Sequence, residues 1–173
     1  MQIIKTATLT LEPQVAAHAD ELFVLLSDPA IYEYEDEPPV SVAWLRERFR
    51  KLETRQSADG TEQWLNWVIR LPTAVAIGYV QATIAADGTA TIGYVLAKAY
   101  WGRGLATQAV AAMLDELMGY YQVQCFFASL KRANHRSLRL LERLGFTPAP
   151  ADLYREHQVE PDELLLQRVV VAP

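Results

Sequence analysis

Residues 101–107, Trp101-Gly102-Arg103-Gly104-Leu105-Ala106-Thr107, carry the most legible chemistry in this chain. They follow a short apolar run, Tyr94-Val95-Leu96, and open directly into a helix pattern. Its apolar positions, Ala106, Ala109, Val110, Met113, Leu114 and Leu117, fall on one face. A strand, a Gly-x-Gly turn and a helix N-terminus together make an anion site. First-turn N–H groups have no intrahelical partner, and small residues let the backbone approach a phosphate. The helix dipole adds ~0.3–1 kcal/mol per favourably placed charge. We expect a diphosphate on the backbone N–H groups of Gly102, Arg103, Gly104, Leu105 and Ala106, with the Thr107 hydroxyl as a further donor. Thr107 stands where a dinucleotide fingerprint has its third glycine, and no Gly-Lys-Ser/Thr triplet occurs. An ATP or NAD site is therefore not expected.

What remains is the pattern Gln/Arg-x-x-Gly-x-Gly/Ala, met at Gly104 and Ala106, with Trp101 departing at its first position. It resembles the acetyl-CoA diphosphate loop of the GCN5-related N-acetyltransferases, the GNAT superfamily. A second stretch is more specific. Asn134-His135-Arg136-Ser137, continuing to Glu142-Arg143-Leu144-Gly145-Phe146, is similar to the Asn-x-x-Ser…Glu-(Lys/Arg)-x-Gly-Phe helix of the RimJ/RimL-like branch. Asp20-Glu21-Leu22-Phe23 and Ser27-Asp28-Pro29 resemble that branch's first helix and the loop after it. The likeness covers nearly the whole chain in the right order.

The resemblance implies roles. Tyr94, Val95 and Leu96 would pair with the pantetheine arm as an added strand, which an edge with unpaired N–H and C=O groups can accept. The Asn134 amide would touch the same arm, although Asn is also among the best helix N-caps. Ser137 would hand a proton to the departing thiolate, a task the wider superfamily gives to a Tyr seven residues after the Asn, where this chain has Leu141. General acid catalysis is worth ~10²–10⁴-fold. Arg139 belongs to a basic cluster with Lys131, Arg132, Arg136 and Arg143. Some of these, or Arg103, would hold the adenosine 3′-phosphate, and a solvated helix face is the plain alternative.

These residues need elements to carry them. Residues 3–11 alternate like a strand, and Val15, His18, Ala19, Leu22, Leu25 and Leu26 repeat like a helix ended by Ser27-Asp28-Pro29. Ser41 is placed to cap a second helix with Val42, Leu45, Phe49 and Leu52 on one face. Strands are expected over 63–70, 75–84 and 89–97, with Ala86-Asp87-Gly88 turning between the last two. Then come a helix over 104–120, a strand over 124–130, a helix over 134–144 closed by Gly145, and strands over 146–154 and 163–171. The order β-α-α-β-β-β-α-β-α-β-β describes an α/β fold. It is also the layout of the GNAT fold: a single mixed, mostly antiparallel sheet flanked by helices, formed by residues 1–173 as one domain.

Composition bounds the rest. A net charge of −5 argues against nucleic-acid binding and suits a cationic partner such as an amine. Cys125 is the sole cysteine, so no internal disulfide forms, and a cytoplasmic setting follows. No apolar run approaches the ~20 residues a membrane span needs, and Met1–Thr6 begins no signal peptide. His18, His135 and His157 lack metal-ligand spacing, so no metal is expected. The apolar C-terminal residues Leu164–Leu166 and Val169–Val171 suit burial in the sheet or pairing in a homodimer, and the sequence leaves both open.

An α-amine titrates near 8 and a lysine amine near 10.4, a gap of about 3 kcal/mol in reaching the neutral nucleophile. A protein without a strong base does better with an α-amine or another low-pKa amine. Relatives of this branch carry Glu before the Ile-Gly-Tyr of the strand, where this chain has Thr91. The remaining acids are Glu33, Glu35, Asp36 and Glu37, in a loop with Tyr32 and Tyr34. We read that loop as a collar for a cationic substrate, with Glu35 as the base through a water, against a plain solvated acidic loop. The expected activity is acetyl-CoA-dependent N-acetyl transfer by direct attack of a primary amine on the thioester, with CoA as product. The acceptor would be a protein N-terminus or a small amine. The alternative is a non-catalytic acyl-CoA-binding domain of the same fold, which the residues at Thr91 and Leu141 favour.

Overall fold

The computed structural model describes residues 1–34 and 37–170. The chain runs β1 Ile4–Lys5, β2 Thr10–Pro13, α1 Ala19–Leu26, α2 Val42–Leu52, β3 Gln63–Arg70, β4 Ala76–Ile84 and β5 Thr89–Leu96. It continues through α3 Leu105–Gly119, β6 Cys125–Lys131, α4 His135–Arg143, β7 Thr147–Pro148, α5 Leu153–Glu156 and β8 Glu163–Val169. The strands form one sheet in the order β1-β2-β3-β4-β5-β6-β8-β7, antiparallel everywhere except between β5 and β6. This is the expected mixed α/β sheet.

Helices cover both faces. On one, Ala109, Val110, Met113, Leu114 and Leu117 of α3 and Leu140 and Leu141 of α4 pack on Ile92, Leu96, Phe126 and Ala128 of the sheet. On the other, Leu22 and Leu26 of α1 and Leu45 and Phe49 of α2 enclose Val68, with Tyr79 and Val95 at the margin. Side chains alternate across a strand. Tyr94 and Leu96 therefore join the α3–α4 layer, while Val95 joins the α1–α2 layer.

The sheet is split where β5 and β6 meet. Their parallel pairing spans only Thr89↔Cys125 to Thr91↔Phe127, although β5 continues to Leu96 and β6 to Lys131. Each strand is then held by its other neighbour, β5 by β4 and β6 by β8. At Gly78 the β4 backbone approaches β5 so closely that a Cβ would lie 2.1 Å from the Val95 carbonyl oxygen. Only glycine admits that approach, and it pins the far end of β5 to β4 and away from β6.

Three expectations change. The strand expected over 3–11 is two strands, because the Thr6 hydroxyl accepts the Leu9 N–H at 2.8 Å and Thr6 N–H bonds the Leu9 carbonyl at 2.9 Å, closing a tight turn. The strand expected over 146–154 survives only as β7, which ends at Pro148; Pro150 follows, and residues 153–156 turn into α5. The first helix opens as a 3₁₀ turn over Ala16–His18 before α1 begins. Helix ends behave as read: the Ser41 hydroxyl accepts the Trp44 N–H at 3.1 Å. After α4, Phe146 N–H bonds the Leu141 carbonyl and Gly145 N–H the Glu142 carbonyl, with Gly145 at φ 82°. That reciprocal pair is the Schellman closure, and it accounts for the Leu-Gly-Phe sequence.

Candidate functional site

The split in the sheet opens a cavity of about 410 Å³. Four segments wall it: the end of β5, the turn leading into α3, the inward face of α4, and the segment over residues 30–34. The β5 edge is the first wall. Ala97 N–H bonds the Ile77 carbonyl on β4 at 2.8 Å, so by alternation Leu96 and Tyr94 direct their backbone groups to the split side. The Leu96 carbonyl there accepts the Trp101 indole N–H at 2.7 Å.

The turn is the second wall. Gly102 and Gly104 both sit at φ 74°, a left-handed conformation that costs a side-chain-bearing residue roughly 1–2 kcal/mol. Gly104 is the N-cap of α3, no side chain caps that helix, and its first turn holds no acidic residue. The first intrahelical bond is Gln108 N–H to Gly104 carbonyl, at 3.1 Å, so the amides of Leu105, Ala106 and Thr107 lie ahead of the ladder. All three residues line the cavity.

α4 supplies the third wall. Asn134 is buried and caps the helix, its side-chain oxygen accepting the Ser137 N–H at 3.1 Å. Capping thus uses the oxygen of the amide, and its NH₂ end donates to no protein group among the described residues. Ser137 is half-buried, and its hydroxyl makes no bond back to the preceding turn among the described residues. Its carbonyl accepts the Tyr94 hydroxyl at 3.4 Å, which joins α4 to β5 across the split. Arg136, Arg139, Leu140 and Arg143 complete this wall, at a spacing that places them along one helix side. Leu141, the position where the wider pattern has a phenol, is 1% exposed in the core.

The fourth wall is set by Ser27-Asp28-Pro29. The Asp28 carboxylate accepts the Ala30 N–H at 2.9 Å, Pro29 begins a 3₁₀ turn over Pro29–Tyr32, and the Tyr32 hydroxyl bonds the Leu26 carbonyl at 2.7 Å. This holds Ala30, Ile31, Glu33 and Tyr34 against the cavity. The Glu33 carboxylate accepts a hydrogen bond from the Tyr34 hydroxyl and keeps that phenol above its ordinary pKa, with desolvation adding to the shift and the Arg136 charge opposing it. Glu33 is the one carboxylate among the described lining residues.

Of the residues expected to bind a cofactor, Tyr94, Val95, Leu96, Gly102, Gly104, Leu105, Ala106, Thr107, Asn134, Ser137 and Arg139 meet in this one cavity. Arg103 does not line it; its guanidinium turns outward, 5.7 Å from the Tyr100 ring centroid. Glu35 and Asp36 lie outside the described residues. Thr91 is exposed, on the face shared with Val95. Sequence reasoning missed Ala30, Ile31, Tyr100 and Leu140 as lining residues. Leu140 was findable, since it follows Arg136 by one helical turn; the others depend on loop paths with no periodic signal.

The end of β5 that β6 leaves, the start of α3 and an arginine side of α4 thus meet in one cavity suited to an extended anionic ligand. Comparisons with known proteins place the fold in a family. The acetyltransferase (GNAT) domain profile matches residues 8–147. The "Uncharacterized N-acetyltransferase p20" of Bacillus licheniformis is 27% identical over 149 residues, spanning 84% of this chain and 83% of that protein. Among solved structures, a RimL ribosomal L7/L12 alpha-N-protein acetyltransferase in complex with coenzyme A superposes with TM-score 0.83 at 19% identity, covering 98% of each chain. A spermidine N-acetyltransferase from Vibrio cholerae in complex with CoA and spermine gives TM-score 0.78 at 20% identity, covering 95% of this chain and 96% of that one. The chain belongs to the GNAT family of acetyltransferases, acyltransferase enzymes that modify amines.

Proposed function

We propose that the cavity binds acetyl-CoA and that the protein transfers the acetyl group to a primary amine on a cationic acceptor, either a protein N-terminal α-amine or a small polyamine. The observation that carries this reading is the meeting, in one cavity, of the open β5 edge and the uncapped N-terminus of α3. Acetyl-CoA, when bound, supplies a thioester carbonyl already activated for attack.

The chain's own groups do the rest. Backbone amides over 102–106 and the Thr107 hydroxyl grip the diphosphate. The split-side backbone of Tyr94 and Leu96 pairs with the pantetheine amides, Val95 holds the strand's register between them, and the Asn134 NH₂ donates to the same arm. Arg139 and Arg143 face the adenosine end. Ser137, positioned by the Asn134 cap, relays a proton to the leaving sulfur. Glu33 draws the cationic acceptor, and Glu35 takes the amine proton through a water. A second hollow, of about 580 Å³, shares Glu33 and Tyr34 with the cofactor cavity and bears Asp162 and Glu163 on its far side. Lys131 and Arg132 line it too, and Lys131 ion-pairs with Asp162 and Glu163, which leaves Glu33 as the carboxylate that meets the acceptor there.

The test is thiol release from acetyl-CoA with a panel of N-terminal peptides and polyamines. Turnover on at least one class is expected, and Glu33→Gln should raise the amine KM several-fold while leaving acetyl-CoA affinity unchanged. Tight acetyl-CoA binding with no turnover on any acceptor would instead favour a non-catalytic acyl-CoA-binding role, the reading to which Thr91 and Leu141 point.

A further inference from the structure

We infer that Arg136 supplies the side-chain cation for the diphosphate of the acyl donor, and that the Trp101 indole is the platform that holds it there. The Arg136 guanidinium carbon lies 3.8 Å from the centre of the Trp101 ring. Both side chains line the cavity beside Gly102 and Gly104. The indole itself is fixed, because its N–H bonds the Leu96 carbonyl at 2.7 Å.

A guanidinium over an aromatic ring makes that contact through the face of its own π system. Its five N–H donors point outward in its own plane, the geometry that meets two phosphate oxygens at once. Among the described residues Arg136 forms no ion pair, and none of its N–H groups donates to a protein acceptor. A cation on a fixed platform, with no protein acceptor among the described residues and beside a helix start that no described side chain caps, is built for an anion.

Arg136 is the described cation whose side chain stacks on the turn, at Trp101. The first turn of α3 is uncharged, and Arg103 leans on Tyr100 outside the cavity. Arg139 and Arg143 lie one and two turns further along α4. Trp101 stands where the loop pattern has Gln or Arg, and it carries a cation from α4 on its ring instead of a polar group of its own.

This inference rests on the acyl-CoA reading above, and the experiment separates the two. Arg136→Ala and the parent protein are titrated calorimetrically with acetyl-CoA, with 3′-dephospho-acetyl-CoA and with S-acetyl-pantetheine, which has no diphosphate. The variant should bind the first two about tenfold or more weakly and the third as the parent does, the loss expected for a charge-assisted pair. A loss confined to acetyl-CoA would assign Arg136 to the 3′-phosphate, and an equal loss on all three probes, or none, would equally overturn the proposal. If the parent binds none of the three, the acyl-CoA reading falls and takes this one with it. Trp101→Leu gives a second measurement: it should weaken acetyl-CoA binding, and adding Arg136→Ala to it should then cost little more. Full additivity would remove Trp101 as the platform.

Discussion

The Asn134 side-chain oxygen and the Ser137 backbone N–H lie 3.1 Å apart, so one amide both starts α4 and presents its other end to the cavity. Capping and ligand binding can be separated by chemistry. Asp caps as well as Asn but has no NH₂ to donate. Asn134→Asp should therefore keep the thermal midpoint and weaken acetyl-CoA binding several-fold. Asn134→Ala should lower stability by ~1 kcal/mol as well. Calorimetry and a melting curve on both variants decide the matter. If Asn134→Asp binds acetyl-CoA like the parent, Asn134 is a cap alone.

Gly78 controls the split from the other side of β5. A Cβ there would meet the Val95 carbonyl oxygen at 2.1 Å, a backbone atom that cannot step aside without moving the strand. Gly78→Ala should destabilise by ~1–3 kcal/mol, the usual range for overpacking, and should also weaken cofactor binding by displacing residues 94–96. Gly119→Ala is the control. A Cβ there meets nothing within 4 Å, and the helical backbone favours alanine, so stability should hold or rise by ~0.4–1 kcal/mol. Equal melting temperatures for the two variants would contradict the close approach.

These two glycines mark the limit of what the sequence discloses. The α3 period, the Ser41 and Asn134 caps, the Gly145 closure and the three central strands are written in local patterns, and each forms where expected. The cavity-lining residues of the turn and of α4 were legible because they sit at element ends, where caps and glycines leave signals. The split is not local: it arises because β6 pairs fully with β8 while β5 follows β4, and no single segment records that competition. The turn at Thr6–Leu9 was hidden by alternation that continues through it, since a threonine hydroxyl serves a strand and a turn alike. Arg136 on Trp101 joins residues 35 positions apart, which composition shows only as one arginine in a basic cluster.

Acid should loosen the packing of α1. The Glu21 carboxylate grips Arg70 at 2.7 and 2.9 Å, and Arg70 also meets Glu12, so this arginine ties β3 to α1 and to β2. The Arg70 hydrogen bond holds the Glu21 pKa below its ordinary value, against a smaller opposing effect of burial. A carboxyl with a lower pKa folded than unfolded stabilises fully above its unfolded pKa, and the contribution is lost as pH falls through the folded one. Melting temperature should therefore hold down to about pH 5 and fall below about pH 4. Glu21→Gln should flatten part of that fall. The Glu21 side chain is 40% exposed, so solvent screening keeps the difference under about 1 kcal/mol. Parallel pH profiles for parent and variant would show that the pair does not report on folding.

Two hydroxyl-bearing residues, Tyr94 and Ser137, line the cavity where the proposed reaction needs a proton donor. The Tyr94 hydroxyl reaches the Ser137 carbonyl at 3.4 Å, and among the described residues the Ser137 hydroxyl is not engaged by the preceding helical turn. Leu141 is sealed in the core and cannot donate. If Ser137 relays the proton, Ser137→Ala should lower kcat by at least about tenfold with acetyl-CoA affinity unchanged, within the range general acids contribute. Tyr94→Phe should then act on affinity through the position of α4 and leave the chemical step near its parent rate. Single-turnover rates at saturating acetyl-CoA separate these effects from product release. The reverse result, full chemistry without Ser137 and a slow step without Tyr94, would move the proton donor from the helix to the strand.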